Sequence, residues 1–355
     1  AAPSVTMYGL IDTGIYYNHY RADDGKTSST DTVSMKSGQN SGSRWGLKGE
    51  EKIGNTTVSF NLAHKFNTDN GTQADEVGRL FGREAQVNVS GAYGTLYAGR
   101  IASVVSDSGS IGYLGDVSAF PSAFGIVGNQ AGSTGSAYAR YDNTIAYQTP
   151  AFSGLQAAAL YSFKADSKKD TTSRENSAAA DRYAGAALRY KAGKAAVVLT
   201  GDMTMYGNAA KNVYHDVDNG YSFILGGNYD FGVAKAFAKV TYFDNQVNVL
   251  DSFDLISDSR DLKKAEALKG WGAEISTAVP AFGGAFLGTV GYRDAKDVDN
   301  GSYKFKRWNA AVGYSYAFSK RTSVYAAAGY AQEKSDAQDR KASAAQAGFG
   351  LVHKF

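Results

Sequence analysis

The sequence VTMYGLIDTGIYY, residues 5–17, alternates between apolar and polar side chains with a period of two. One face of this stretch carries Val5, Met7, Gly9, Ile11, Ile15 and Tyr17. The other face carries Thr6, Tyr8, Asp12 and Tyr16. Successive side chains of a β-strand point to opposite faces, so the stretch predicts a strand with one apolar and one polar surface.

The same alternation recurs along the chain. Trp45 and Leu47 alternate with Arg44, Lys48 and Glu50, and similar stripes begin near residues 58, 223, 271, 308 and 324. The composition of 41 Gly, 24 Tyr, 18 Phe and only 4 Pro in 355 residues is typical of many strands joined by turns. No segment approaches the about 18 consecutive apolar residues that a membrane helix needs.

Short and long connections alternate between the predicted strands. Short turns lie at 52–55, 91–94, 150–154, 191–194, 230–233, 280–284 and 318–321. Long polar segments, which we number loops 1 to 8, lie at 21–40, 67–79, 101–139, 164–181, 206–220, 247–269, 294–306 and 332–341. Seven short and eight long connections make fifteen, which predicts sixteen strands with both chain ends at the short-turn rim.

An even number of antiparallel strands with long loops at one rim matches a transmembrane β-barrel. The apolar stripes would face lipid, the polar stripes would line a lumen, and closure would pair the backbone groups that hydrocarbon leaves unsatisfied. We therefore predict an all-β, 16-stranded antiparallel transmembrane barrel that forms one domain over residues 1–355. A large soluble β-sandwich or β-helix explains the alternating side chains but not the alternating loop lengths.

Composition and termini narrow the class of protein further. The net charge of +3 comes from 37 basic and 34 acidic residues with interleaved signs, which does not predict nucleic-acid binding. The absence of Cys excludes disulfides, a thiol nucleophile and thiolate metal sites. Ala1-Ala2-Pro3 leads directly into a strand, which we interpret as an exported protein after signal cleavage. A cytosolic protein without its start Met is the alternative.

Catalytic and metal motifs are not recognisable in the sequence. Four His residues lack a neighbouring Ser in a GxSxG turn, so we predict no enzyme. The string DVDNG at 216–220 and 297–301 places Gly fifth, whereas a calcium-binding EF-hand loop needs it sixth. Asp and Asn in tight turns explain both copies, and we predict no cofactor and no metal site.

Six segments carry a resemblance to a known family. They are VTMYGLIDTG (5–14), SRWGLKGEEKIGN (43–55), FGREAQVNVSGAYGTLYAGR (81–100), RYDNTIAYQTPAFSG (140–154), SKRTSVYAAAGY (319–330) and GLVHKF (350–355). In this order they resemble the general porins of Gram-negative, especially β-proteobacterial, outer membranes. The resemblance runs from Val5 to Phe355 and covers the whole chain.

The resemblance implies a homotrimer in the outer membrane, with short periplasmic turns and long extracellular loops. It implies passive diffusion of small hydrophilic solutes and ions, and loop 3 folded into the lumen as the pore constriction. Phe349, Leu351 and Phe355 resemble the C-terminal signature that addresses barrels to the assembly machinery. Loop carboxylates that bind divalent cations bridging lipopolysaccharide are a further hypothesis.

Loop 3 is the longest connection and is rich in Gly, Ser and Ala. It contains no Lys or Arg, and its only charges are Asp107 and Asp116. If it folds inward, these carboxylates are expected to face basic residues across the pore and to set a transverse field.

The candidates for the basic residues of the facing wall are Arg44, Lys48, Arg140 and Arg100. Arg100 lies on the lipid phase, so it must turn inward or the register must contain a bulge. Alternatively, some of these charges pair with one another and hold the loop.

The charges on the predicted lumen phase nearly balance. The basic candidates are Arg44, Lys48, Lys65, Arg140, Lys239, Arg293 and Arg307. The acidic candidates are Asp12, Glu50, Glu84, Asp142, Asp202 and Glu274. Ala146 occupies a lumen position where the family often has Arg or Lys. We therefore predict a slight anion preference at most, with a substrate-specific channel or a non-conducting structural or adhesive barrel as the alternatives.

Overall fold

The structure is a computed structural model that describes residues 3–23, 27–74, 78–120, 139–208, 218–247, 267–335 and 340–355. Within these ranges the chain forms seventeen strand segments and one short 3-10 turn, and no helix is long and apolar enough to cross a membrane. The strands are β1 (Ser4–Asp23), β2 (Thr27–Ser37), β3 (Arg44–Ile53), β4 (Thr56–Lys65), β5 (Glu84–Gly91), β6 (Gly94–Ala102), β7 (Arg140–Gln148), β8 (Leu155–Ser162), β9 (Arg182–Ala192), β10 (Ala195–Met205), β11 (Gly220–Asp230), β12 (Lys235–Gln246), β13 (Leu268–Ala281), β14 (Gly284–Asp297), β15 (Lys304–Ala317), β16 (Thr322–Ser335) and β17 (Arg340–Lys354).

The strands form one closed antiparallel sheet. From β3 to β17 each strand pairs with the next along the chain, and β17 pairs with β1 from Leu10↔Lys354 to Asp23↔Lys341. The backbone groups of Gly9 and Phe355 complete the seam with hydrogen bonds of 3.0 and 2.9 Å. Among the described strands, closure leaves no free sheet edge in the hydrocarbon layer, as a membrane barrel requires.

Two of the segments occupy a single position in the barrel. β3 pairs with the first half of β1 and β2 pairs with its second half, both antiparallel. The seventeen segments therefore fill sixteen barrel positions, with the second position interrupted at residues 38–43. The predicted sixteen-stranded barrel is confirmed.

The connections follow the predicted alternation with one exception. All seven short turns lie within a few residues of their predicted positions. The prediction of a loop over 21–40 was wrong, because β1 continues to Asp23 and β2 starts at Thr27. The segment TSSTDTVSMKS is polar, yet its Thr and Val residues favour extended backbone and pair with the end of β1. The last two loops are shorter than predicted because β14 to β17 extend further.

The two side-chain phases separate as predicted. Apolar residues such as Val5, Ile275 and Val312 are 68%, 65% and 65% exposed on the outer surface. Aromatic pairs lie near both ends of the outward stripes, including Trp271 with Tyr292 and Tyr316 with Phe318. Such belts suit the two lipid–water interfaces.

Candidate pore constriction

Loop 3 turns into the barrel directly after β6. Its residues Val104, Val105 and Ile111 are almost completely buried inside the lumen. They pack in one cluster against inward residues of the neighbouring strands, namely Ala146, Ala158, Leu160, Ala187, Val198 and Ile224. Most of this wall carries small or aliphatic side chains, which leave room for a second layer of chain. The apolar wall of β7 to β11 therefore holds the first part of the loop.

Further along, loop 3 passes β11 and continues toward β13 and the last strands. Val117 lies so close to Gly226 that a Cβ on this glycine would come within 2.8 Å of it. The backbone N–H of Ala119 donates to Ser276 Oγ on β13 at 2.9 Å. Phe120 is buried against alanines of β15 to β17. The loop thus spans the lumen from β6 to the last strands, and the rest of it, residues 121–138, lies outside the described ranges.

A polar network anchors the start of loop 3 to the inner wall. Ser103 Oγ and the Tyr183 hydroxyl are 2.5 Å apart, and this hydroxyl donates to Asp202 Oδ2 at 2.7 Å. Ser222 donates a hydrogen bond to the other oxygen of Asp202. Because the whole network is buried, loss of any member would leave polar groups without hydrogen-bond partners, which is energetically costly. The network therefore holds the start of loop 3 in place.

Basic residues line the wall that faces loop 3. Arg44 and Lys48 lie on β3 in register with Lys65 and Asn61 of β4, so these side chains share the face of Tyr8. Lys48 Nζ lies 5.1 Å from the centroid of the Tyr8 ring. Arg140 interacts electrostatically with Arg44. We name five residues the basic wall: Arg44, Lys48, Lys65, Arg83 and Arg140.

Arg83 is a wall residue that the sequence analysis missed. It interacts electrostatically with Tyr8, and its Nη1 and the Lys65 side chain both lie beside Gly42. Strict alternation from Glu84 places Arg83 on the lipid phase. Arg83 precedes the first residue of β5, however, so alternation does not govern its direction.

The two carboxylates of loop 3 have different surroundings. Asp107 interacts electrostatically with Arg44 and with Lys239, which places it between the basic wall and β12. Asp116 lies 3.8 Å from Arg189 Nη1 and 3.6 Å from Lys191 Nζ on β9. The expectation that Asp116 faces the predicted wall was wrong. Asp116, the last residue of the 3-10 turn Leu114–Asp116, instead pairs with the wall that the loop lies on.

Glu84 is on the lumen phase but is engaged at the edge of loop 3. Its carboxylate accepts a hydrogen bond from Asn61 Nδ2 at 2.7 Å and another from Ser110 of the loop. The Tyr8 hydroxyl donates in turn to Asn61. Glu84 therefore connects the β4–β5 wall to loop 3, and only 5% of it is exposed to the lumen.

Comparison with known proteins agrees with this architecture. A family model described as "Gram-negative porin" matches residues 1–337. The chain belongs to the Gram-negative porin family. It is 34% identical to an outer membrane porin of Bordetella pertussis over 100% of this chain and 95% of the relative. It is 28% identical to outer membrane porin protein 32 of Delftia acidovorans over 92% of this chain and 83% of that protein.

Solved structures share the fold of this porin. An anion-selective porin from Comamonas acidovorans superposes with a TM-score of 0.68 at 22% identity, and each chain is covered completely. OmpT of Vibrio cholerae, described as a trimer form, superposes with a TM-score of 0.62 at 15% identity over the full length of both chains. This chain is thus an outer-membrane porin, a non-enzymatic channel for the passive diffusion of small hydrophilic solutes and ions.

Two predicted lumen residues of the porin lie on the other face of the wall. Arg100 is in register with Ala85, which shares the outward phase of Leu62. A bulge, which the sequence analysis gave as one of two ways for Arg100 to face the lumen, is present as a register shift between Gly99 and Ile101, but it leaves Arg100 on the outward phase. It directs Asp142 to the same face, where Arg100 Nη1 donates to Asp142 Oδ1 at 2.8 Å. The placement of Arg100 and Asp142 on the lumen side was therefore wrong.

Two other lumen candidates are inward but inaccessible. Asp12 is fully buried and accepts hydrogen bonds from the backbone of Asn40 and Ser41, both at 2.8 Å, and from the Tyr325 hydroxyl at 2.6 Å. Lys239 lies in register with Glu274, and loop 3 covers this pair through Ser118, which donates to Glu274. Both residues hold structure together rather than line the open pore.

The C-terminal residues lie on the lipid-facing phase of β17. Phe349, Leu351 and Phe355 are 58%, 46% and 45% exposed. The second DVDNG copy forms a turn in which Asp297 Oδ2 accepts from the backbone of Asp299 and Asn300. The first copy lies partly outside the described residues.

Proposed function

We propose that loop 3 and the basic wall set the size cutoff and the charge preference of this porin, with a modest preference for anions. The observation that carries the proposal is the burial of the predicted lumen charges. Four of the basic candidates remain at least partly exposed: Arg44, Lys48, Lys65 and Arg140. Among the six acidic candidates only Glu50 remains exposed, and loop 3 adds the partly exposed Asp107. The near balance in the sequence therefore becomes an excess of accessible positive charge.

The charge preference is tested by the zero-current potential across a KCl gradient in a planar bilayer. Asp107→Asn removes a negative charge opposite Arg44, so the potential is expected to shift toward anions, and Arg44→Gln is expected to shift it toward cations. Both shifts should shrink as salt rises, because the Debye length falls from about 10 Å at 0.1 M to about 3 Å at 1 M.

Asp116→Asn is the matched control within the same loop. Asp116 already pairs with Arg189 and Lys191, away from the basic wall. Its removal should change the potential less than Asp107→Asn does. Equal shifts for the two variants, or none for Asp107→Asn, would contradict the proposed role of Asp107.

The proposal includes a homotrimer, as in the trimer form of OmpT described above. Small outward residues such as Ala326 and Ala328 would allow close contact between subunits. Chemical cross-linking of the detergent-extracted porin is expected to give a ladder that ends at three subunits. A ladder that ends at one subunit would contradict the trimer.

Three further partners belong to the proposal: lipopolysaccharide around the barrel, the barrel-assembly machinery, and a divalent cation between loop carboxylates and lipopolysaccharide. In the described ranges, no group of three or more His, Cys, Asp or Glu side chains is placed to hold a metal ion. In the proposal, the cation bridges loop carboxylates and lipopolysaccharide. If chelation leaves the heat stability of the trimer unchanged, the cation is not part of the assembly.

A further inference from the structure

One side chain of loop 2 holds the point where loop 3 leaves the barrel wall. Arg79 Nη1 and Nη2 donate to the two oxygens of Asp142, both at 3.0 Å. Arg79 Nη2 also donates to Asp166 of loop 4 at 2.7 Å. The Arg79 and Asp142 side chains are only 12% and 11% exposed. A bidentate, charge-assisted and largely buried pair is much stronger than an ordinary surface ion pair.

Asp142 and Arg100 stand at the two ends of loop 3. Arg100 ends the regular part of β6, and its Nε also donates to the Gly82 carbonyl at 2.8 Å. Asp142 follows the return of the chain into β7 and also accepts from the backbone N–H of Ser167 at 2.8 Å. One carboxylate thus connects loop 2, loop 4 and both strands that carry loop 3.

Backbone hydrogen bonds hold β6 and β7 together only weakly at the point where loop 3 leaves the barrel wall. The β6–β7 register shifts between Gly99 and Ile101, and Gly99 and Asn143 adopt positive φ angles of 136° and 51°. Beyond the bulge, β6 and β7 are joined only by two paired positions, and the backbone N–H of Ser103 donates to the Ala139 carbonyl at 3.2 Å. A bulge locally disrupts the ladder, so side chains must supply the missing constraint.

We propose that Arg79 is a positioning residue for the pore constriction. Acting through Asp142 and Arg100, it clamps both ends of loop 3 from the outer face and so fixes how far the loop extends into the lumen. Extracellular loops 2 and 4 thereby help to determine the geometry of the constriction. The inference rests on the proposed role of loop 3 in setting the constriction.

The test is the fraction of time that single channels spend in reduced-conductance levels at a fixed voltage. Arg79→Ala is expected to raise this fraction about tenfold, since it removes several charge-assisted hydrogen bonds. Arg79→Lys keeps the charge but not the bidentate geometry, so its effect should be intermediate. Asp170→Asn is the matched control, because Asp170 lies in loop 4 and bonds only within that loop among the contacts of the described residues.

A purely structural role predicts a different result. In that case Arg79→Ala would lower the temperature at which the band of folded porin disappears in gel electrophoresis. The channels that insert into the bilayer would behave as wild type. Wild-type reduced-level occupancy in folded Arg79→Ala and Arg79→Lys would overturn the proposal. If Arg79→Ala does not fold, Arg79→Lys alone decides the question in the same way.

Failure of the clamp and failure of the proposed function give distinct results. If Asp107→Asn shifts the zero-current potential but the Arg79 variants show no change in reduced levels, only the clamp is wrong. If the Arg79 variants change the reduced levels but Asp107→Asn leaves the potential unchanged, the charge role of loop 3 is wrong.

Discussion

At the scale of single residues, Ala146 shows how burial changes the meaning of a sequence position. The sequence places it on the lumen phase, where the absence of a basic residue argues against anion selectivity. In the structure it is 5% exposed and lies beneath loop 3, in the cluster with Tyr113 and Leu160. Its small size makes room for the loop, so its lack of charge says little about ion selectivity.

Ala146→Arg therefore tests the packing of the constriction. A long charged side chain has no room beneath loop 3, so we expect a loss of about 1–3 kcal/mol in stability and a displaced loop. The measurements are the heat stability of the folded band and the spread of single-channel conductance. Ser59→Arg is the control, since Ser59 shares the lumen phase of Asn61 on the open wall. It should shift the zero-current potential toward anions without widening the spread, and the same behaviour from Ala146→Arg would contradict the packing.

Alternation predicts the direction of a side chain only inside a regular strand. Arg44, Lys48 and Lys65 lie in uninterrupted pairing, and the structure places them on the lumen face that the pattern indicates. Asp142 lies beside a bulge and Arg83 precedes its strand, so the period of two does not apply to them, whereas Arg100 keeps the outward phase that alternation gives it. Arg79 could not be singled out because nothing local indicates that a loop residue reaches Asp142.

At the scale of the elements, Asp12 explains why the second barrel position contains two strands. Its carboxylate binds the backbone of Asn40 and Ser41, and its carbonyl accepts from Gly38 at 2.9 Å. The connection between β2 and β3 thus wraps around one buried acid. A lone Asp in an apolar strand gives no sign that it bonds to residues 38–41, so this break was not predictable.

Asp12→Ala is expected to destabilise the link between β2 and β3. Two backbone N–H groups and the Tyr325 hydroxyl would lose their acceptor, which should lower the free energy of unfolding by about 2–3 kcal/mol. Urea titration of the refolded barrel in detergent, followed by Trp fluorescence, measures the change. Asp12→Asn keeps an acceptor oxygen and should lose less. An unchanged midpoint for Asp12→Ala would show that the link does not depend on this carboxylate.

The elements themselves were largely predictable, for two physical reasons. The period of two is visible wherever one face of a strand meets lipid. Short turns with residues such as Gly and Asn, or with the sequence Lys-Ala-Gly-Lys, separate the strands at the short-turn rim. The extended β1–β2 hairpin was missed because both its faces are mostly polar outside the membrane, so no apolar stripe distinguishes it from a loop.

At the scale of the whole molecule, the barrel closes at the chain ends. Phe355 pairs with Gly9 through its backbone, while its side chain remains exposed to lipid. Phe355→Ser keeps the backbone seam and removes only the aromatic signature. We expect much less folded porin in the outer membrane of cells but similar refolding in detergent. Phe318→Ser, at another exposed aromatic of the short-turn rim, is the control. Equal losses in cells for both variants would contradict a specific assembly role for Phe355.

The most direct test of the channel is single-channel recording of the wild-type porin in a planar bilayer over a range of KCl concentrations. A water-filled pore narrowed by loop 3 predicts large, nearly ohmic steps in groups of three, a conductance that follows bulk KCl conductivity, and a modest potential of anion sign. Conductance that saturates at low salt would indicate a substrate-specific site. No conductance from folded, inserted protein would contradict the open pore.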